Sequence, residues 1–353
     1  MSFDQDGTGG ASDTRKGDAS RNARRARNCR ILGMGGYLPG QVLSNAELAQ
    51  AFDVTDDWIF SRTGIRERRI LEPGRDTSDM AFEAARAALK NAAVPAGEIT
   101  HILLGSCAPD GLVPNTACTL ARKLGLTGLM AMDFNVACSG FLYGLYLARA
   151  ILLLEPHAKI LLVTAEAMSR ICNPERRDVR ILFGDGAGAA VVAAETGAGP
   201  RVEDVLLSAD GTHGEILAAN GGGSRSAYAA ATQPVGEDYF LRMNGREVFK
   251  HAVYSMVQIC RRILADNGLT VDDVDLFLPH QANARIIDAV GERLGVPEAK
   301  THRYIEYCGN TSGASIPLAL EDALRQDRLP SGGRALLASF GAGFTWGAAL
   351  LRG

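Results

Sequence analysis

The chain has 353 residues, 46% of them apolar and 22% charged, a balance that fits a folded globular protein of one large domain or two ordinary ones. A formal net charge of −3 gives no general attraction to nucleic acid or to an anionic membrane surface. The seven cysteines are odd in number and lack a Cys-x-x-Cys, which in a chain this long points to reduced thiols and a cytoplasmic setting, not a disulfide framework.

Residues 1–28 stand apart. Gly, Ser, Asp and Arg dominate them, and Arg21, Arg24, Arg25, Arg27 and Arg30 form a basic cluster. The absence of an apolar stretch there excludes a secretory signal. Asp4, Asp6, Asp13 and Asp18 break up the charge that a nucleic-acid arm or transit peptide would use. A disordered leader is expected over 1–28.

From Cys29 onward, strand-like apolar runs alternate with helical patterns, the signature of an α/β fold. Helices are expected over 44–51, 77–92, 115–124, 140–154, 245–267, 284–294 and 315–326. Small residues recur at helical spacing in Met80, Ala84, Ala87, Ala88 and Asn91, a face suited to close packing on a sheet. No apolar run approaches the roughly 20 residues of a membrane span.

The order of elements repeats. Strands expected over 99–107, 131–138, 159–164 and 188–193 in the first half are matched by 274–280, 303–310, 334–340 and 347–351 in the second. This implies two duplicated α/β halves, 29–200 and 201–353, packed face to face. The stretch 208–238 gives no clear pattern.

The duplication locates the chemistry. Cys138, in Asp133-Phe-Asn-Val-Ala-Cys-Ser-Gly-Phe141, lies where a strand meets a helix. A helix start lowers a thiol's pKa and favours the nucleophilic thiolate. Asn310 occupies the roughly equivalent junction of the second half, and His280 ends another strand. Ligand sites of open α/β sheets gather at such strand ends. Taken singly, each has an ordinary reading: a buried core cysteine, a strand-end histidine bonded to backbone, and a turn asparagine.

Other motifs are weaker. Phe183-Gly-Asp-Gly-Ala-Gly-Ala189 resembles a phosphate loop, but strand-like runs flank it on both sides, whereas a dinucleotide fingerprint opens a helix. Arg62, Arg66, Arg68 and Arg69 form a charged run that either faces solvent or meets phosphate, with Trp58 upstream as a surface for a base. The six histidines form no metal-binding spacing, so no metal is expected.

Six segments together resemble the 3-oxoacyl-[acyl-carrier-protein] synthase III family of the thiolase superfamily. They are Asp57-Trp-Ile-Phe-Ser-Arg-Thr-Gly-Ile-Arg-Glu-Arg68, Phe134-Asn-Val-Ala-Cys-Ser-Gly140, Leu182-Phe-Gly-Asp-Gly-Ala-Gly188, Pro279-His-Gln-Ala-Asn283, Gly309-Asn-Thr-Ser312 and Phe340-Gly-Ala-Gly-Phe-Thr-Trp346. They occur in the family's order and cover residues 29–353.

The resemblance implies a five-layered αβαβα thiolase-like fold and a cytoplasmic homodimer. It implies that Cys138 is acylated by acyl-CoA, with His280 and Asn310 as its partners in decarboxylative condensation with malonyl-acyl-carrier protein. Phe340 would stand beside the cysteine. The turn holding Ala342 and Gly343 would supply an oxyanion donor. Trp58, Arg62 and Arg177 would meet CoA, with Phe249 and Asn283 along the pantetheine tunnel. Lys250 and Arg285 would meet the carrier protein at the tunnel mouth. No cofactor is implied beyond the CoA and phosphopantetheine thioesters that serve as substrates.

The chain departs from the family pattern at two positions. Ala342 replaces a frequent glycine, which requires a backbone angle open to any residue. Val113 replaces a frequent aromatic in the loop that would cap the partner's acyl pocket, which suggests an acyl group longer than acetyl. Two further readings are a related condensing enzyme or acyltransferase of specialised-metabolite or cofactor synthesis, and a non-catalytic acyl-thioester binding protein.

Overall fold

The computed structural model describes residues 29–195, 197, 199–222, 224 and 236–353; the expected leader over 1–28 lies outside them. The apolar runs form nine strands of one sheet: β1 (Arg30–Tyr37), β2 (His101–Gly105), β3 (Met130–Phe134), β4 (Lys159–Glu166), β5 (Gly186–Ala193), β6 (Arg201–Ala209), β7 (Leu276–Pro279), β8 (Arg334–Gly341) and β9 (Thr345–Arg352). Their order across the sheet is β7-β8-β9-β6-β1-β5-β4-β2-β3.

The sheet has a seam. β1 and β6 meet through a single pair, Arg30 opposite Arg201. On one side, β2 runs parallel to β3 and β4, and β5 runs antiparallel to β4 and β1. On the other, β7 runs parallel to β8, and β9 runs antiparallel to β8 and β6. β2, β4, β5 and β1 are thus mirrored in topology by β7, β8, β9 and β6.

Among the described residues, eight helices of eight residues or more cover these halves: α1 (Asn45–Phe52), α2 (Asp56–Thr63), α3 (Thr77–Ala92), α4 (Thr116–Lys123), α5 (Gly140–Leu154), α6 (Gly245–Asp266), α7 (Ala284–Leu294) and α8 (Ser315–Arg325). Strand residues alternate between faces, and three apolar cores follow. Leu103, Leu162 and Ala190 from one half, and Leu278, Leu337 and Ala349 from the other, enclose α5 and α8. Leu104, Val163 and Ala189 point instead to α3 and α4. Phe277, Leu336 and Leu350 point to α6 and α7. The result is five layers, αβαβα, with α5 and α8 in the middle.

Ala137–Leu154 is long and apolar enough to cross a membrane by length and composition. Half of it is buried against both sheet halves, and that central position accounts for its apolarity. The small-residue face of α3 packs on β1 as expected. A Cβ at Gly35 would lie 2.3 Å from the Ala88 nitrogen, so the strand and helix backbones approach as closely as glycine allows.

The strand expected over 303–310 does not form. That segment carries a short 3-10 turn, Ile305–Tyr307, and its backbone partners are scattered. Tyr304 N–H donates to the Gln281 side chain, the Glu306 carbonyl accepts from Arg66 N–H, and Asn310 N–H donates to the Leu182 carbonyl. Partners from separate segments cannot build a ladder. Among its described residues, the second half therefore has no counterpart of the edge strand β3.

Candidate active site

Cys138 sits in the 3-10 turn Ala137–Ser139 between β3 and α5. Ala137 takes a left-handed φ of 47°, which bends the chain sharply before the cysteine. The second half repeats the bend. Ser312 has φ 50° at the start of the turn Ser312–Ala314 that leads into α8. Asn135 Oδ1 accepts from Ala137 N–H at 3.2 Å, and Asn310 Oδ1 accepts from Ser312 N–H at 2.9 Å. Asn310 is therefore the counterpart of Asn135, and Cys138 of Gly313. The two functional candidates share a junction but not a position within it.

Burial pushes the Cys138 thiol from 9.0 up to about 12; Ser312 opposes this, and the nearby Glu166 adds to it. This corrects the expectation of a thiol made acidic by a helix start. The helix begins at Gly140, after the cysteine. A helix dipole supplies about 0.3–1 kcal/mol, less than one pKa unit, and desolvation outweighs it.

His280 follows β7, with its N–H donating to the Ala338 carbonyl at 2.7 Å. Its Nδ1 lies 2.5 Å from Ser315 Oγ, which fixes the ring and leaves Nε2 for the cavity. Burial holds His280 down at about 3, so the imidazole is neutral. Asn310 is gripped through its backbone: its N–H donates to Leu182 O at 2.8 Å and its carbonyl accepts from Gly184 N–H at 3.0 Å. With Oδ1 engaged by Ser312, Nδ2 remains as a donor.

These three residues line one cavity of about 550 Å³, together with Phe340, Arg62, Phe249, Lys250, Asn283 and Arg285. Phe340 packs against Phe344 with ring centroids 4.7 Å apart and the planes tilted by 49°. The end of β8 runs against Cys138: a Cβ at Gly341 would lie 2.8 Å from Cys138 N. Of the following turn, Gly343 carries the glycine-favouring φ of 136°, and Ala342 is not among the positive-φ residues. Ala342 therefore fits the turn without strain.

A cysteine, a neutral imidazole and a carboxamide donor in an apolar cavity suit acyl-thioester chemistry. Two models of the family match this chain: 3-Oxoacyl-[acyl-carrier-protein (ACP)] synthase III over residues 132–211, and its C-terminal part over 264–353. The beta-ketoacyl-[acyl-carrier-protein] synthase III of Nitratidesulfovibrio vulgaris (strain DP4) is 55% identical over 325 residues, 91% of this chain and 98% of that one. The chain belongs to the 3-oxoacyl-[acyl-carrier-protein] synthase III family of the thiolase superfamily. The crystal structure of the synthase III from Aquifex aeolicus VF5 superposes with a TM-score of 0.83 at 38% identity, covering 92% of this chain and 100% of that one. The Thermus thermophilus structure gives 0.82 at 40%, covering 92% and 99%.

The remaining expected site residues lie around this cavity or outside it. Trp58 and Arg177 are not among its lining residues. The Arg62 guanidinium lies 4.1 Å from the Trp58 ring centroid, and that of Arg177 lies 5.0 Å from it. Trp58 belongs to α2, a helix absent from the sequence-based assignment although Thr55 caps it and Asp56 and Asp57 open it. Asn283 caps α7 through Oδ1 and donates from Nδ2 to the Arg62 carbonyl at 3.1 Å, so both ends of its amide are engaged. Lys250 pairs with Glu247 at 2.8 Å. Val113 is 89% exposed and lies outside this cavity.

Sequence reasoning missed Arg246, which joins Arg62, Lys250 and Arg285 around the cavity. It also missed the polar groups beside Cys138. Ser312 Oγ lies 3.6 Å from Cys138 Sγ and 3.2 Å from the fully buried Glu166 carboxyl. The available signal was a lone carboxylate ending a largely apolar strand, in Leu162-Val-Thr-Ala-Glu166.

Proposed function

We propose that the chain catalyses the decarboxylative Claisen condensation that initiates fatty-acid synthesis. Acyl-CoA acylates Cys138, and malonyl-acyl-carrier protein then condenses with the acyl group to give a 3-oxoacyl-carrier protein. The observation that carries this reading is the single cavity that gathers Cys138, His280 and Asn310 from distant parts of the chain.

In the first half-reaction, the Cys138 sulfur attacks the thioester carbonyl and CoA leaves. The N–H groups of Cys138 and of the turn at Ala342 and Gly343 receive the oxyanion. In the second, malonyl thioester loses carbon dioxide. His280 Nε2–H and Asn310 Nδ2–H donate to the enolate oxygen that develops. A neutral His280 fits this role, because it donates a hydrogen bond without giving up a proton. The enolate carbon attacks acyl-Cys138, and the sulfur departs. The chemistry draws on no resident metal or redox group.

Arg62, Arg246, Lys250 and Arg285 around the cavity suit CoA phosphates and an acidic carrier protein. Trp58, flanked by two guanidinium groups, suits the base of CoA. Phe249 and Asn283, which line the cavity, suit a passage for pantetheine. A cytoplasmic homodimer follows from the same reading. Support comes from β3, an open sheet edge on which Met130 is 40% exposed, and from Leu154 of α5 at 84% and Leu112 at 71%.

Intact-mass measurement tests the function. Acyl-CoA should add one acyl group to the chain, and Cys138→Ala should abolish the addition. Malonyl-acyl-carrier protein should then discharge it as a 3-oxoacyl product. Acylation without discharge would leave an acyltransferase; no acylation from any acyl-CoA would leave a binding protein.

A further inference from the structure

A second polar cluster abuts Cys138 and has no part in the roles assigned above. Glu166 ends β4 with its side chain fully buried. Its Oε1 accepts from Ser312 Oγ at 3.2 Å and from Gly313 N–H at 3.3 Å. Its Oε2 accepts from Cys107 N–H at 3.0 Å, Cys107 Sγ at 3.2 Å and Ser106 Oγ at 3.3 Å. All of these donors are neutral. Ser312 Oγ, in turn, lies 3.6 Å from Cys138 Sγ and 3.8 Å from Cys107 Sγ.

A hydroxyl has one proton to donate. While Glu166 is ionised, Ser312 directs that proton to the carboxylate and accepts the Cys138 S–H. Once Glu166 holds a proton, Glu166 becomes the donor. The Ser312 hydroxyl then turns to the sulfur, as a thiolate requires. Two negative charges here, with neutral donors alone around the carboxylate, are strongly disfavoured.

We propose that Cys138 and Glu166 share one proton across the Ser312 hydroxyl, so that the nucleophilic thiolate exists only while Glu166 is neutral. Glu166 is then a positioning residue that acts through Ser312. The step balances. The Cys138 S–H proton passes to Ser312 Oγ as the Ser312 proton passes to Glu166. The electron pair left on sulfur forms the bond to the acyl carbon. The bond from that carbon to the CoA sulfur breaks, and the departing thiolate takes a proton back along the same route. This rests on the acylation of Cys138 proposed above.

The titratable groups facing Glu166 are Cys107, from the loop after β2, and Cys138, across Ser312. His280 shares the cavity with Cys138 and stays neutral. Burial raises Glu166 to about 7, while burial and the Glu166 charge push the Cys107 thiol well up, so Cys107 remains a donor.

Alkylation of Cys138 by iodoacetamide across pH, read by peptide mass on the full chain, tests the proposal. No thioester is involved, so a failed acylation assay would leave this test standing. An isolated thiol gains reactivity about tenfold per pH unit up to its own pKa. A thiol sharing one proton with Glu166 gains it only up to the carboxyl's titration and then levels off, because further protons leave from Glu166.

The native chain should therefore plateau from about pH 7 to about pH 9. Glu166→Gln keeps the shape but carries no charge. It should match the native rate near about pH 6 and exceed it about tenfold at pH 8 and about a hundredfold at pH 9. A native rate that climbs through this range, or a Glu166→Gln curve running parallel to the native one, overturns the proposal. A purely structural role would shift the curve without changing its shape. The native curve alone decides the matter if the variant does not fold.

Discussion

The backbone of Gly341 lies against the backbone of Cys138: a Cβ on Gly341 would come within 2.8 Å of Cys138 N and 3.3 Å of its Cα. Both neighbours are held in place. β8 pairs along its length with β9, and Cys138 is fixed between β3 and α5. Gly341→Ala should therefore displace the turn that faces Cys138, the proposed nucleophile. Acyl-enzyme formation should fall by about a hundredfold or more, with about 1–3 kcal/mol of stability lost to overpacking. Ala342→Gly, next in sequence, should leave acylation nearly unchanged. Intact mass and thermal melts on the two variants check the contrast.

His280 and Asn310 donate to the enolate of the second half-reaction in the proposed mechanism, whereas Cys138 carries the first. His280→Ala and Asn310→Ala should therefore slow malonyl decarboxylation by about a hundredfold to a thousandfold. Both should spare acyl-enzyme formation by comparison. Single-turnover measurements of acyl transfer and of carbon dioxide release separate the two steps. A variant that loses acylation and retains decarboxylation would reverse the assignment.

The buried His280 also sets a pH dependence of stability. Burial lowers its folded pKa to about 3, below the 6.5 of an unperturbed histidine, so the unfolded chain binds the extra proton first. Its favourable contribution is complete above about pH 6.5. It is lost as pH falls from there toward about 3, with a slope of at most about 1.4 kcal/mol per unit. Glu166 has the opposite sign. Its folded pKa is raised to about 7, so its contribution is complete below about 4.5 and is lost as pH rises through about 7. Replacing His280 with Gln should flatten the acid side of a stability profile measured by urea unfolding. Replacing Glu166 with Gln should flatten the slope that runs up to neutrality.

The α/β class, the duplication and most helices were legible because each rests on local periodicity. The expected bounds of 77–92, 140–154 and 284–294 match α3, α5 and α7. The segment 303–310 misled because the repeated order of elements called for a strand there, while its backbone partners come from separate segments. Spacing reports which face is apolar, not whether a neighbouring strand exists. The junction of Cys138 was legible, but its acidity was not. A helix start is visible in sequence, whereas the depth of burial that overrides it belongs to the packed cavity. Glu166 and Ser312 escaped for a related reason. Their importance lies in distances to Cys138 that cross three segments of chain.

Val113 and Leu112 stand out from the surface, at 89% and 71% exposure, in a loop apart from the cavity of their own chain. In a dimer built across β3 such a loop can reach the partner's acyl pocket, where a small side chain leaves more room than an aromatic one. Val113→Phe should therefore reduce turnover of six- to ten-carbon acyl-CoAs by about tenfold relative to acetyl-CoA. Competition between acyl-CoAs, followed by mass, measures the ratio. A native chain strictly selective for acetyl-CoA would refute the expected preference.

Arg62 and Arg177 both lie over the Trp58 ring, at 4.1 and 5.0 Å from its centroid. A planar guanidinium on an aromatic face is favourable by about 0.5–1 kcal/mol at an exposed site and keeps its edge donors available. In the proposed function the pair would hold phosphate-binding groups beside a surface for the base. Arg62→Ala should raise KM for acyl-CoA by about tenfold and leave kcat nearly unchanged, because the contact is equal in ground and transition states. Arg62→Lys should rescue only part of the loss, since an ammonium keeps the charge but not the planar stack. Higher salt should raise the native KM and narrow the gap to Arg62→Ala, as expected for a solvent-exposed phosphate contact. A fall in kcat with KM unchanged would instead place Arg62 in the chemical step.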